Sequence, residues 1–171
     1  GRNVVSASVM NDKGVESLVD QFEIDYIPTT VSLPNLHLFT LGVSKYKESK
    51  YDLKYAAKDA ADVTALYSGE HAPFANVYSH HLTDSEVTGS AVKQLREKLE
   101  KTKVDDVVCV FFAGHGLLDK DLNYFLASHD VSFVEPSNGG IPYENLEDLL
   151  DGIPARNKLL LIDACHSGEI D

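Results

Sequence analysis

A histidine and a cysteine, the two residue types needed for thiol-based hydrolysis, each follow an apolar run of the chain. The run from Val107 to Phe112 ends shortly before His115, and the run from Leu159 to Ile162 ends shortly before Cys165. A thiol attacks a carbonyl carbon only as the thiolate, so it needs a base or an electropositive setting nearby. The pair therefore predicts a thiol hydrolase with His115 as the potential base and Cys165 as the potential nucleophile.

The elements around these residues predict how the two side chains are brought together. Continuous apolar runs of this length are typical of strands buried on both faces, as in parallel sheets covered by helices. Ligands and catalytic groups of such sheets collect beyond the carboxyl ends of the strands. We therefore expect His115 and Cys165 to reach the same edge of one sheet.

Strands and helices alternate along most of the chain, which predicts an α/β fold with a mostly parallel central sheet and helices on both faces. Thr88 or Ser90 is expected to cap the second helix, whose apolar residues recur at intervals of three and four. The predicted elements are strands at 36–43, 77–82, 107–112, 122–127 and 159–162, helices at about 55–67 and 143–150, and between them a helix containing Val92, Leu95 and Leu99.

The first 35 residues differ from the rest in pattern. Val4–Val9 and Val15–Val19 could pair as a hairpin around the turn sequence Asn11–Gly14, with residues 20–35 as an extended connector containing two prolines. We accordingly predict an N-terminal segment at 1–35 and a catalytic domain at 36–171.

The composition argues against nucleic-acid-binding, disulfide-rich and membrane-spanning proteins. The 171 residues are 43% hydrophobic and carry a formal net charge of -12, which opposes binding to a nucleic-acid backbone and favours basic peptides. Two cysteines are too few for a disulfide scaffold, and no apolar stretch is long enough to cross a bilayer. We expect a cytoplasmic protein with no nucleic-acid or membrane partner.

Asp163 and Asp59 are candidates for recognising the substrate. Asp163 precedes Cys165 by two residues, so its carboxylate should lie on the same side of the strand, where it disfavours the thiolate. That cost suggests a second role for Asp163, and pairing with an Arg or Lys of the substrate is favoured over a structural hydrogen bond. Asp59 lies in the first turn of the helix after the first strand, and this helix starts at the same crevice. Its alternative role, as an acid in the first helical turn, is about equally well supported.

The motifs FFAGHG and LLLIDACHSGE resemble the histidine and cysteine motifs of caspase-like cysteine peptidases, in the metacaspase, paracaspase and bacterial orthocaspase branch. The separation of 50 residues between His115 and Cys165 agrees with the spacing in caspases. Lys58-Asp59-Ala60 is similar to the family's Asn-Asp-Ala segment. The resemblance covers about residues 36–168.

The resemblance implies a caspase-like three-layer sandwich and an endopeptidase that cuts after Arg or Lys through an acyl-enzyme. Cys165 would be the nucleophile and His115 the general acid and base, while the backbone amides of Gly116 and Cys165 would receive the oxyanion. Asp163 would set the basic specificity, as the aspartate at this motif position does in metacaspase-like enzymes. No cofactor or metal-ligand set is assigned, although calcium dependence varies within this branch.

The chain ends six residues after Cys165. Caspase-like folds need further strands from a small subunit, so we expect a catalytic portion that is incomplete without that subunit and is activated by processing of a precursor or by a partner. Two other functions remain open. One is a non-catalytic caspase homologue that acts as a scaffold or regulator. The other, a nucleotide-binding module, is disfavoured because the chain has no phosphate-binding glycine loop.

Overall fold

The computed structural model describes residues 1–27, 32–69 and 73–164. Its internal contacts divide the chain into two units, Gly1–Ser32 and Leu33–Asp171, which are described separately. In the part of the chain that is described, no helix combines the length and the apolar character required to cross a membrane.

The N-terminal unit is an antiparallel hairpin of β1 (Arg2–Ala7) and β2 (Asp20–Asp25). The predicted position of the second strand, Val15–Val19, is wrong, and part of the expected connector is strand instead. The Asn11 side chain accepts backbone hydrogen bonds from Lys13 and Val15, both of 3.0 Å, so residues 11–15 are held in a turn. Regular pairing resumes only at Asp20, opposite Ala7.

The larger unit alternates strands with helices, as predicted. Its strands are β3 (Leu36–Gly42), β4 (Val77–Thr83), β5 (Val107–Ala113), β6 (Gly116–Leu118), β7 (Tyr124–Leu126), β8 (Ile141–Pro142) and β9 (Asn157–Asp163). Its helices are α1 (Ala56–Tyr67), α2 (Gly89–Leu99) and α3 (Glu144–Leu150). The side chain of Thr88 caps α2 by accepting a hydrogen bond from the Ala91 amide, which decides between the two predicted caps.

The central sheet has the order β4-β3-β5-β9, and every neighbouring pair is parallel. Helix α1 covers one face, where Ala56 and Ala60 pack against Phe111 and Ala113. The other face packs against α2 and α3 through one large core that includes Phe39, Leu41, Val110, Phe112, Leu95 and Leu146. The predicted three-layer α/β architecture, with a mostly parallel sheet between helices, is confirmed.

A small antiparallel sheet, β6-β7-β8, follows the histidine motif directly. The sequence predicted one strand at 122–127, but the observed β7 is shorter because Leu122 occupies a turn with a φ of 64°. Strand β6 was not predicted, since three residues are too few to give a periodic pattern.

Candidate active site

An open cleft of about 430 Å³ lies where β5 and β9 end and α1 begins. It brings together three of the predicted site residues, His115, Asp59 and Asp163. Cys165 lies outside the described residues. The full lining is Leu53, Lys54, Tyr55, Ala56, Asp59, Ala113, Gly114, His115, Asp163 and Ala164.

The register of β5 and β9 relates the two predicted catalytic residues. Each residue of β5 lies opposite the residue 50 positions later in β9, from Val107 opposite Asn157 to Ala113 opposite Asp163. The pairing continues past the strands, because the Gly114 amide donates to the Asp163 carbonyl at 3.1 Å. His115 and Cys165 are separated by the same 50 residues.

The His115 ring is held by a backbone carbonyl. Its Nε2 lies 2.9 Å from the carbonyl oxygen of Tyr51. A carbonyl oxygen only accepts hydrogen bonds, so Nε2 carries the proton, and Nδ1 of the neutral ring retains a lone pair. This tautomer leaves one nitrogen of His115 able to take a proton from a neighbouring thiol.

Two aromatic rings, those of Tyr46 and Phe133, lie against His115, and the Tyr51 ring packs on Phe133; the three side chains are called the aromatic clamp below. The imidazole centroid lies 5.2 Å from the Tyr46 ring and 5.4 Å from the Phe133 ring, the latter edge-on. Tyr51 stacks on Phe133 with centroids 3.6 Å apart. The Tyr46 hydroxyl also accepts a hydrogen bond of 3.1 Å from the His115 amide.

The loop at residues 44–53, which supplies two members of the clamp, is itself anchored by two carboxylates. Asp84 accepts hydrogen bonds from the amides of Ser44 and Lys45 at 2.8 and 2.9 Å. Asp52 accepts from the Tyr46 amide at 3.0 Å and from the Lys45 ammonium at 2.9 Å. The bond from the Tyr46 amide, followed by that from Lys45, lowers the pKa of Asp52, so this anchor stays ionised at neutral pH.

Two glycines permit the close contacts of the site. A Cβ on Gly42 would lie 2.7 Å from the Ala56 carbonyl oxygen, so only glycine lets α1 begin this close to the end of β3. A Cβ on Gly114 would lie 2.9 Å from the Phe112 ring and 3.2 Å from the Tyr46 hydroxyl. Gly114 therefore leaves space for the hydroxyl that bonds to His115.

The sequence pattern of the caspase domain matches residues 38–171, which is most of the chain. This chain belongs to the caspase-like peptidase family. A solved structure with a similar fold is the crystal structure of a Geobacter sulfurreducens protein, with a TM-score of 0.59 and 20% sequence identity. The alignment covers 78% of this chain and 52% of the Geobacter chain. This chain therefore spans about half the length of that structure. Among curated proteins, none matches the chain significantly.

The cleft of this caspase domain carries charges of both signs. Asp59 is half-buried and Asp163 is exposed, and both contribute carboxylates. Lys54 is exposed, with its ammonium 5.0 Å from the centre of the Tyr55 ring. In the part of the chain that the structure covers, no three His, Cys, Asp or Glu side chains converge as metal ligands.

The amide of Gly116, predicted to bind the oxyanion, is not used by the β6–β7 ladder. The Ala127 amide donates to the His115 carbonyl at 2.9 Å, one residue before the Gly116–Leu126 pair. In an antiparallel ladder this makes Gly116–Leu126 a pair without mutual hydrogen bonds. The Gly116 N–H consequently points away from β7.

The aromatic clamp and the two anchoring carboxylates of this caspase domain are not predictable from the sequence pattern. Tyr46 and Tyr51 lie in a polar loop, 69 and 64 residues before the His115 atoms that they contact. The glycines on both sides of His115 indicate a tight backbone turn there, but they do not indicate which residues contact the imidazole. The second cysteine, Cys109, is 3% exposed inside β5, and burial raises its pKa, as expected of an inert core thiol.

Proposed function

We propose that this protein is a cysteine endopeptidase that cuts after Arg or Lys, with Cys165 as nucleophile and His115 as general acid and base. One observation carries the proposal: the offset of 50 residues in the β5–β9 register equals the separation of His115 and Cys165. Parallel strands in register bring equivalent residues to the same edge of the sheet. A chain that continues in this register past Asp163 would bring Cys165 beside His115.

The hydrogen bonds of His115 support its part in the reaction. Nδ1 would take the thiol proton of Cys165, and the imidazolium would be stabilised by the bond from Nε2 to the Tyr51 carbonyl, 2.9 Å long. The thiolate then attacks the substrate carbonyl, and His115 protonates the leaving amine as the acyl-enzyme forms. Water, deprotonated by His115, hydrolyses the thioester and frees Cys165.

The oxyanion of each tetrahedral intermediate needs preorganised donors. The Gly116 N–H, left out of the β6–β7 ladder, is one candidate, and the Cys165 N–H is the other. Losing one such donor typically costs about 2.7–4 kcal/mol in the barrier. Backbone amides of a strand end would thus contribute about as much as a catalytic side chain.

The basic specificity is proposed to come from Asp163, with Asp59 as the second carboxylate. Both line the cleft that also contains His115, and a substrate guanidinium or ammonium could pair with either. The cleft also contains the exposed Lys54, which repels a cationic side chain, and the second carboxylate offsets that repulsion.

The proposed partner is a small-subunit portion of the same precursor. It would join this chain when the precursor is activated, either by proteolytic processing or by a further partner. Among the strands that the structure describes, β9 lies at the edge of the central sheet. Leu159 is 45% exposed and Leu161 is 37% exposed, both on the face that α1 covers elsewhere. An added strand and helix would cover these leucines and complete the cleft. A reducing compartment such as the cytoplasm suits the thiol.

The proposal is tested on the complete enzyme with matched fluorogenic peptides that end in Arg, Lys or Asp, each with and without calcium. Cleavage of the Arg and Lys peptides, abolished in Cys165→Ala, is the expected result. Cleavage of the Asp peptide alone would refute the specificity, and activity retained by Cys165→Ala would refute the nucleophile. If the Cys165→Ala protein kept the full effect of the wild type in cells, the scaffold hypothesis would be favoured instead.

A further inference from the structure

We propose that Tyr46 is a positioning residue, whose hydroxyl sets the backbone of His115 so that the imidazole can deliver its proton to the leaving amine. This inference rests on the proposed peptidase function. Tyr46 is predicted to act through His115 and not to contact the substrate.

The hydrogen bonds around His115 depart from a regular ladder at one point. The Ala127 amide donates to the His115 carbonyl, and in a regular antiparallel pair the His115 amide would donate back to the Ala127 carbonyl. It donates to the Tyr46 hydroxyl instead, at 3.1 Å. The hydroxyl therefore holds His115 outside the ladder, and β6 begins only at Gly116.

The same tyrosine also limits the motion of the ring. Tyr46 is 4% exposed, and its ring lies 5.2 Å from the imidazole and 5.3 Å from Phe133. Its own amide is tied to Asp52 at 3.0 Å, so the tyrosine is fixed at both ends. A buried, doubly fixed residue can transmit a precise position to His115.

Proton transfer by Tyr46 itself is disfavoured. Burial, the largest effect, raises the pKa of Tyr46 to about 12, although the bond from the His115 amide acts in the opposite direction. A phenol with this pKa stays neutral at physiological pH and is a poor acid for a leaving amine. The hydroxyl can act as a fixed hydrogen-bond acceptor, which is what a positioning role requires.

The test compares Tyr46→Phe with the wild type in the complete enzyme, on two substrates with the same Arg or Lys before the cut bond. One is a peptide amide, whose nitrogen must be protonated to leave, and the other is a thiobenzyl ester, whose thiolate leaves without a proton. We expect kcat for the amide to fall by about ten- to a hundredfold, with KM changed by less than about twofold, because small misplacements of a catalytic group have effects of this size. The thioester should lose only about threefold.

Rates are divided by the number of competent sites, counted with an irreversible inhibitor that alkylates Cys165, so a misfolded fraction does not affect kcat. Tyr78→Phe is the matched control, because this tyrosine is 48% exposed on β4 and lies against His37, outside the cleft. It should match the wild type on both substrates.

Equal losses on the amide and the thioester, or no loss on either, would overturn the positioning role. A wild-type enzyme that cleaves neither substrate would instead refute the proposed function, on which this inference depends. The two failures are thus distinguished by the wild type alone.

Discussion

The two ends of the parallel sheet treat polar groups in opposite ways. At the amino end, Asp106 is 4% exposed and accepts hydrogen bonds from Asn35, His37 and the Lys103 amide, between 2.9 and 3.3 Å. At the carboxyl end, His115 and Asp163 line an open cleft. Strand β5 therefore has a saturated network before its first residue, at Asp106, and an available imidazole after its last residue, at His115.

Stability and chemistry therefore depend on opposite ends of the sheet. A buried carboxylate that accepts several hydrogen bonds costs free energy to disturb but has no capacity left for a ligand. A cleft with an available imidazole nitrogen and two carboxylates contributes little to folding but can bind and react. Substitutions at the amino end should alter unfolding, and substitutions at the carboxyl end should alter activity.

The largest effect is expected for His115→Ala. Without the acid and base, cleavage of a basic peptide amide should fall by about a thousandfold or more. The unfolding midpoint, followed by circular dichroism, should stay near that of the wild type. Activity within tenfold of the wild type would contradict the role of His115.

Asp106→Asn should have the opposite outcome at the amino end. An amide cannot accept all the bonds that the two carboxylate oxygens receive, so the free energy of unfolding should fall by about 2–3 kcal/mol. Urea denaturation measures this loss, and kcat per folded molecule should not change. If activity fell while the free energy of unfolding did not, the division between the two ends would be wrong.

Asp163→Asn tests specificity at the carboxyl end. Loss of the charged partner should reduce kcat/KM for Arg peptides by about ten- to a hundredfold, mainly through KM. Glu97→Gln, an exposed substitution on α2 with the same change of charge, serves as the control and should have no effect. Asp59→Asn measured in parallel would identify Asp59 as the main partner if it gave the larger loss.

The smallest predicted effect is on acid stability. Burial of Asp106 by itself would raise its pKa, but the bonds from the Lys103 amide, His37 and Asn35 outweigh burial and lower the pKa below 3.8. A lowered folded-state pKa means that the carboxylate stabilises the fold above pH 3.8, and that this contribution is lost as pH falls through the folded pKa. Urea denaturation between pH 2 and 5 should show this loss in the wild type but not in Asp106→Asn. An equal dependence of the unfolding free energy on pH in both proteins would contradict this prediction.

The parts of the molecule predictable from sequence were those governed by local pattern. Strand β5 is apolar throughout because both its faces are buried, and this pattern predicted the sheet and hence its carboxyl edge. That edge was enough to predict the cleft with His115, Asp59 and Asp163. The catalytic assignment of Cys165 stays a prediction, since that residue is outside the described part.

The parts that sequence did not predict depend on contacts between distant segments. Phe133 and Tyr51 stack only because two loops meet at His115, and neither loop has a periodic pattern. The N-terminal hairpin formed as predicted, but its second strand was misplaced for a different reason. Val15–Val19 has strand propensity, but the turn held by the Asn11 side chain moved regular pairing to Asp20.

The most direct measurement is a crystal structure of the complete enzyme with an Arg ketone bound covalently to Cys165. We predict Nδ1 of His115 within about 4 Å of the Cys165 sulfur, with Nε2 still bonded to the Tyr51 carbonyl. A sulfur on the far side of the sheet, or an imidazole turned away so that Nδ1 faces the aromatic clamp, would contradict it.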